Sequence, residues 1–160
     1  MKGDKDVIDI LNRALRHEHA AFNQFWLHST WLSHWGHTRY AKKEYEEALE
    51  EMEHATKLMK RIIFLEGQPD LQVIPTLKVA ANLEEVVKND LEAEYEAVKL
   101  YREARALARD KGDYVSMELI EEILRDEEGH VDWLETQTSL IEAIGIANFA
   151  QLQSAPANEV

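Results

Sequence analysis

The breaks in this chain constrain its fold more than any other feature, because they are few and unevenly spaced. Gly36 and Gly112 each stand alone between two long stretches of helical periodicity. Gly67, Pro69 and Pro75 fall together in one connection, Gly145 marks a last break, and Pro156 lies in a polar tail. Between these marks apolar residues recur at intervals of three and four, as in amphipathic helices. The pattern predicts helices over about 6–35, 38–66, 83–110 and 113–143, and a short fifth over about 146–153. Asn82 and Asp113 are suited to cap the third and fourth helices, with Glu85 completing a capping box after Asn82.

The two short turns make two antiparallel hairpins. The link between the second and third helices is different. About 15 residues of extended chain reach roughly 50 Å, and a 28-residue helix is about 42 Å long. The link can therefore run the length of the molecule and start the third helix at the far end. The expected architecture is all-α, a four-helix bundle with one long crossover and a short fifth C-terminal helix. It forms a single domain over residues 1–153, with 154–160 a polar tail expected to be disordered.

Each long apolar stripe contains a glutamate. Glu18 lies between Leu15 and Phe22, Glu51 between Ala48 and Ala55, Glu94 between Leu91 and Val98, and Glu127 between Ile123 and Val131. Ionised carboxylates on an apolar seam are costly unless something positive neutralises them. His54 follows Glu51 by three residues and His130 follows Glu127 by three, so each pair shares a helix face. Glu18 precedes Glu51 by 33 residues, Glu94 precedes Glu127 by 33, and 76 residues separate the two sets. Two Glu-x-x-His pairs alone are a weak signal; the shared spacing and the apolar stripes make it a strong one. Four carboxylates and two neutral imidazoles match the charge of two divalent cations. Such ligands suit iron, manganese or zinc.

Charge and composition narrow the function. Asp and Glu outnumber Lys and Arg 31 to 18, leaving −13. A chain of this sign has no electrostatic reason to hold nucleic acid or an anionic membrane surface. It has no run of about 18 apolar residues to span a bilayer. Its first residues lack the apolar core of a signal peptide. The absence of cysteine excludes thiolate chemistry and fits a cytoplasmic location, which is expected here.

Three stretches carry a resemblance to a known family: Met1-Lys2-Gly3-Asp4, Phe64-Leu65-Glu66-Gly67, and Leu124-Arg125-Asp126-Glu127-Glu128-Gly129-His130-Val131-Asp132-Trp133-Leu134-Glu135-Thr136. The chain resembles the bacterioferritins over residues 1 to about 153, and a Glu with a Glu-x-x-His on each hairpin is the arrangement of ferritin-like di-iron bundles. The resemblance implies a ferroxidase that oxidises Fe²⁺ with dioxygen or hydrogen peroxide and stores ferric mineral. Its ligands would be Glu18, Glu51, His54, Glu94, Glu127 and His130, with Glu51 and Glu127 bridging. It also implies haem b, ligated by Met52 and its two-fold counterpart across a dimer interface. Further implications are a homo-oligomeric shell of twenty-four subunits built from such dimers, and a small ferredoxin that delivers electrons for iron release. Met52 lies with Tyr45, Leu49, Met59 and Ile63 on a second apolar stripe, about 100° around the helix from Glu51, as a subunit contact would require.

The chain departs from the family in places. Phe25 and Leu58 stand where relatives often carry tyrosines near the metals, and His19 where they place an apolar residue near the haem. Tyr45 and Trp133 are candidate electron donors, although most such aromatics only pack. Glu46 replaces a histidine that helps some relatives bind iron on the inner surface, while Glu50 keeps a carboxylate there. The run Glu44, Glu46, Glu47, Glu50 reads more simply as a solvated helix face. Asp90 and Asp126 are candidates to orient the ligand imidazoles. His17, His28, His34 and His37 lack partners at ligand spacing and are expected on the surface or in loops. The alternatives are a non-catalytic zinc, manganese or haem-binding bundle, a metal-free structural assembly, and a DNA-protecting mini-ferritin. The acidic balance disfavours the last.

Overall fold

The protein is described from a computed structural model covering residues 1–156. Five helices follow one another: α1 (Lys5–His34), α2 (Thr38–Phe64), α3 (Leu83–Asp110), α4 (Tyr114–Ile144) and α5 (Ile146–Leu152). Among the described residues there is no strand. The helix ends agree with the sequence pattern to within two residues. Asn82 and Asp113 accept hydrogen bonds from the amides of Glu85 and Ser116, as N-caps do. The Glu85 carboxylate reaches back one residue further than a capping box requires, to the Ala81 amide.

Helices α1 and α2 pack as one hairpin and α3 and α4 as the other, with α1 also lying against α3. The turns at Gly36 and Gly112 use φ of +89° and +71°, where only glycine is unstrained. The crossover runs beside α1 in the same direction as that helix. Asn12 brackets it with two hydrogen bonds, donating to the Gln68 carbonyl and accepting from the Asp70 amide. Arg16 pairs with Asp70 at 3.0 Å. Further on, Lys78 N–H donates to the Gln24 side chain and Ala80 N–H to His28 Nε2. Successive turns of α1 thus hold the link like rungs, so the chain enters α3 at the opposite end of the bundle.

The core has two apolar ends. Val7, Leu11, Leu15, Leu58, Ile62, Ile120 and Ile123 fill one. Leu32, Tyr40, Val87, Leu134 and Phe149 fill the other, where α5 closes the bundle with Phe149 edge-on to Tyr40. The middle is where the carboxylates lie. Of the C-terminal tail, the Ala155 amide donates to Thr38 Oγ1, and residues 157–160 lie outside the described residues. No described helix is long and apolar enough to cross a membrane.

Candidate metal centre

Glu18 on α1, Glu51 and His54 on α2, Glu94 on α3, and Glu127 and His130 on α4 all point into the bundle, none of them more than 7% exposed. They form two overlapping groups, Glu18–Glu51–His54–Glu127 and Glu51–Glu94–Glu127–His130, whose ligand atoms lie within 4.8 Å of one another. His54 Nδ1 stands 3.1 Å from Glu127 Oε1, 3.2 Å from Glu51 Oε2 and 3.5 Å from Glu18 Oε2. His130 Nδ1 stands 3.3 Å from Glu51 Oε1, 3.5 Å from Glu94 Oε1 and 4.0 Å from Glu127 Oε2. Glu51 and Glu127 therefore each offer one oxygen to each imidazole. One N–H cannot satisfy three carboxylates. Glu18 Oε2, Glu51 Oε1, Glu94 Oε2, Glu127 Oε1 and His130 Nδ1 are all buried without a hydrogen-bond partner. Unsatisfied buried acceptors on this scale are rare in folded proteins, and hard cations between them would satisfy them all.

Burial and the crowding of like charge also favour protons on these groups. Burial pushes Glu51 well above the usual carboxylate range, and the nearby Glu127 and Glu18 add to it. Glu94 is raised by burial and then by Glu127. Burial also acts on Glu18, but its close neighbours Glu51 and His54 outweigh it and bring Glu18 down to about 2. Burial would lower both imidazoles. The surrounding glutamates overcome it, pushing His54 far up and His130 up to about 12.

The outer nitrogens are held as well. His54 Nε2 lies 3.2 Å from Asp126 and His130 Nε2 lies 3.3 Å from Glu50, both carboxylates being partly open to solvent. Such contacts orient ligand imidazoles. Asp126 thus takes the position expected of it, and Asp90 does not. It accepts from Gln24 and sits 2.9 Å from His28 Nδ1.

Two other expectations are overturned. His28 is fully buried, because the crossover covers it. The Ala80 amide donates to its Nε2, which leaves the proton on Nδ1 for Asp90 and no lone pair for a metal. Glu44 and Glu47 are 2% and 5% exposed rather than solvated. Glu47 reaches His130 Nε2 at 2.5 Å and pairs with Lys43. Glu44 is held well above the usual carboxylate range by burial and by Asp90. Helical spacing carried this signal: Glu44 and Glu47 precede Glu51 by seven and four residues and share its face. Glu46 is exposed and joins no carboxylate–imidazole group among the described residues, whereas Glu47 and Glu50 join one with His130.

Tyr101, which reads in sequence as one more apolar residue of α3, is fully buried and donates its hydroxyl to Glu18 Oε1. On the outside of α2, Tyr45, Leu49, Met52 and Ile63 form an exposed apolar stripe, with Met52 47% accessible.

An antiparallel bundle with one crossover and two carboxylate–imidazole groups at its centre defines a ferritin-like protein. The Ferritin-like domain family matches residues 8–144. The chain is 52% identical to a bacterioferritin of Brucella melitensis biotype 1, over 99% of both chains. It is 48% identical to that of Rhodobacter capsulatus, over 98% of this chain and 97% of the other, and 40% identical to that of Mycobacterium leprae over 91% of each. The chain belongs to the bacterioferritin family.

Proposed function

We propose that the protein stores iron and is a ferroxidase whose substrate is Fe²⁺. The observation that carries this reading is the pair of buried glutamates, Glu51 and Glu127, each presenting one oxygen to each half of the centre. Two Fe²⁺ would share them as bridges. Glu18 and His54 would complete one position, Glu94 and His130 the other. Each Fe²⁺ gives up one electron, and the pair reduces dioxygen to hydrogen peroxide or hydrogen peroxide to water, taking up two protons in either case.

The chain's own residues supply charge and order. The protons on Glu51, Glu94 and the two imidazoles leave as iron binds, so charge in the centre stays balanced. Asp126 and Glu50 keep the imidazoles facing inward through their outer nitrogens. Glu46 and Glu50 are the proposed iron ligands outside the centre, and Glu50 touches His130 directly.

Haem b fits the outer stripe of α2. Met52 offers a thioether there, flanked by exposed Tyr45, Leu49 and Ile63, with no element covering it among the described residues. When bound, haem would supply one-electron transfer for iron release, with a small ferredoxin as donor. The same apolar stripe supports two-fold pairing of subunits and, through such pairs, a shell of twenty-four. Aerobic Fe²⁺ oxidation followed by absorbance tests the central claim. Oxidation no faster than in buffer, with two metal ions still bound per chain, would point instead to a redox-silent zinc or manganese protein.

A further inference from the structure

The two halves of the centre are related by the 76-residue shift, and their ligands correspond throughout: Glu18 to Glu94, Glu51 to Glu127, His54 to His130. Even the carboxylates behind the imidazoles correspond, Glu50 to Asp126. The correspondence fails beside the terminal glutamates. The counterpart of Tyr101 under the same shift is Phe25. Both side chains are buried, at 0% and 2% exposure, and only one of them has a hydroxyl.

That hydroxyl goes to Glu18 Oε1. It leaves Glu18 Oε2 as the one oxygen facing the centre, 3.5 Å from His54 Nδ1 and without a hydrogen-bond partner. Glu94 has no such restraint. Phe25 lines the small cavity beside Glu94 together with Glu44, Glu47 and Asp90, and a phenyl ring offers that carboxylate no donor.

We infer that Tyr101 is a positioning residue that makes the two metal positions inequivalent. By holding Glu18 through its outer oxygen, it readies the Glu18–Glu51–His54–Glu127 position to bind a divalent cation before its partner does. This rests on the six-ligand reading of the centre. A carboxylate held in its binding rotamer loses less conformational freedom on taking up a metal, and outer contacts of this kind are worth roughly 10–100-fold in metal affinity. The additional acids near His130 do not reverse the order. Glu47 is ion-paired with Lys43, and Asp90 is occupied by Gln24 and His28.

The test is a Co²⁺ titration of the metal-stripped, assembled protein, read by the visible ligand-field absorption of bound cobalt. Wild type should bind two Co²⁺ per chain in two resolved steps. Glu18→Ala should abolish the tighter step and Glu94→Ala the weaker one. Tyr101→Phe should weaken only the tighter step, by about tenfold, so that the steps merge while stoichiometry and helical content stay the same. Phe25→Tyr, which adds the missing donor beside Glu94, should tighten the weaker step. Failure to bind two cobalt ions in wild type would overturn the six-ligand reading itself. Two ions bound in both proteins with unchanged constants would overturn the role of Tyr101 and leave that reading standing. A tighter step that disappears with Glu94→Ala rather than Glu18→Ala would also overturn it.

Discussion

The half of the bundle around His54 and the half around His130 carry the same ligands at the same spacing, yet they are embedded in different chemistry. Behind His54 the core is apolar. Ala14, Ala104, Ile120 and Ile123 are all buried there. Their counterparts under the 76-residue shift are Asp90, His28, Glu44 and Glu47, every one polar and every one buried. A duplicated ligand pattern therefore does not make a symmetric site. The apolar half clamps its ligands by packing, by the Tyr101 hydroxyl on Glu18 and by Asp126 on His54. The polar half carries a hydrogen-bonded chain from the crossover at Ala80 through His28 to Asp90, with the buried Glu44 close beside it. Its Glu47, beside His130 and Lys43, brings charge close to the solvent-facing Glu50. Packing tolerates little motion, whereas a network of polar side chains can exchange partners at modest cost.

The comparison breaks most completely where the halves are joined. Glu51→Ala removes an oxygen from each half at once. Rapid Fe²⁺ oxidation should fall by more than the roughly 10–100-fold that loss of an outer-shell contact costs, with helical content by circular dichroism unchanged. A variant that oxidises iron at the wild-type rate would remove Glu51 from the centre.

Replacing the outer partners sharpens the comparison. Asp126→Asn removes the contact to His54 Nε2, and Glu50→Gln the contact to His130 Nε2 together with a proposed iron ligand outside the centre. Asp126→Asn should slow initial oxidation by about tenfold. Glu50→Gln should have the smaller effect, because Glu47 also reaches His130 Nε2 and can hold the ring. Stopped-flow rates for the two variants would decide, and equal losses would show that Glu47 does not substitute.

Removing metal should make stability depend on pH, and more through the half around His130, which holds Glu94 and Glu44. Glu51, Glu94, Glu44, His54 and His130 all have folded pKa values above their ordinary ones. The folded protein therefore holds more protons than the unfolded chain, and its stability falls as pH rises through those values. Glu18, lowered to about 2, has its full stabilising effect already at pH 5 and adds no slope above it. Metal displaces the protons and removes the strain. Zn²⁺ should therefore raise Tm more at pH 8 than at pH 5, by differential scanning fluorimetry. Equal shifts would mean that the centre is not protonated when empty.

The smallest effect belongs outside both halves. Met52→Leu keeps volume and apolarity, so it should cost under about 1.5 kcal/mol and leave initial Fe²⁺ oxidation near normal. It removes the thioether proposed to hold haem, so a Soret band seen in the purified wild-type protein should be lost from the variant. A Soret band that survives would place the haem elsewhere.

Much of this was legible in the chain itself. Helix periodicity, two isolated glycines and one long link determine an antiparallel bundle with a crossover, because these are local and additive signals. The six centre residues were legible for a similar reason. A charged group on an apolar stripe is a local contradiction, and the repeated 33-residue spacing records it twice. Only the tertiary structure decided what surrounds them. Whether Glu47 meets solvent or His130 depends on the neighbouring helix, not on its own. Whether His28 is a loop residue or a buried acceptor depends on where the crossover lies, and Tyr101 becomes a donor only because α1 brings Glu18 within reach of its hydroxyl. Hydrogen bonds between elements distant in sequence leave no periodic trace, so the difference between the two halves becomes visible only when all four helices stand together.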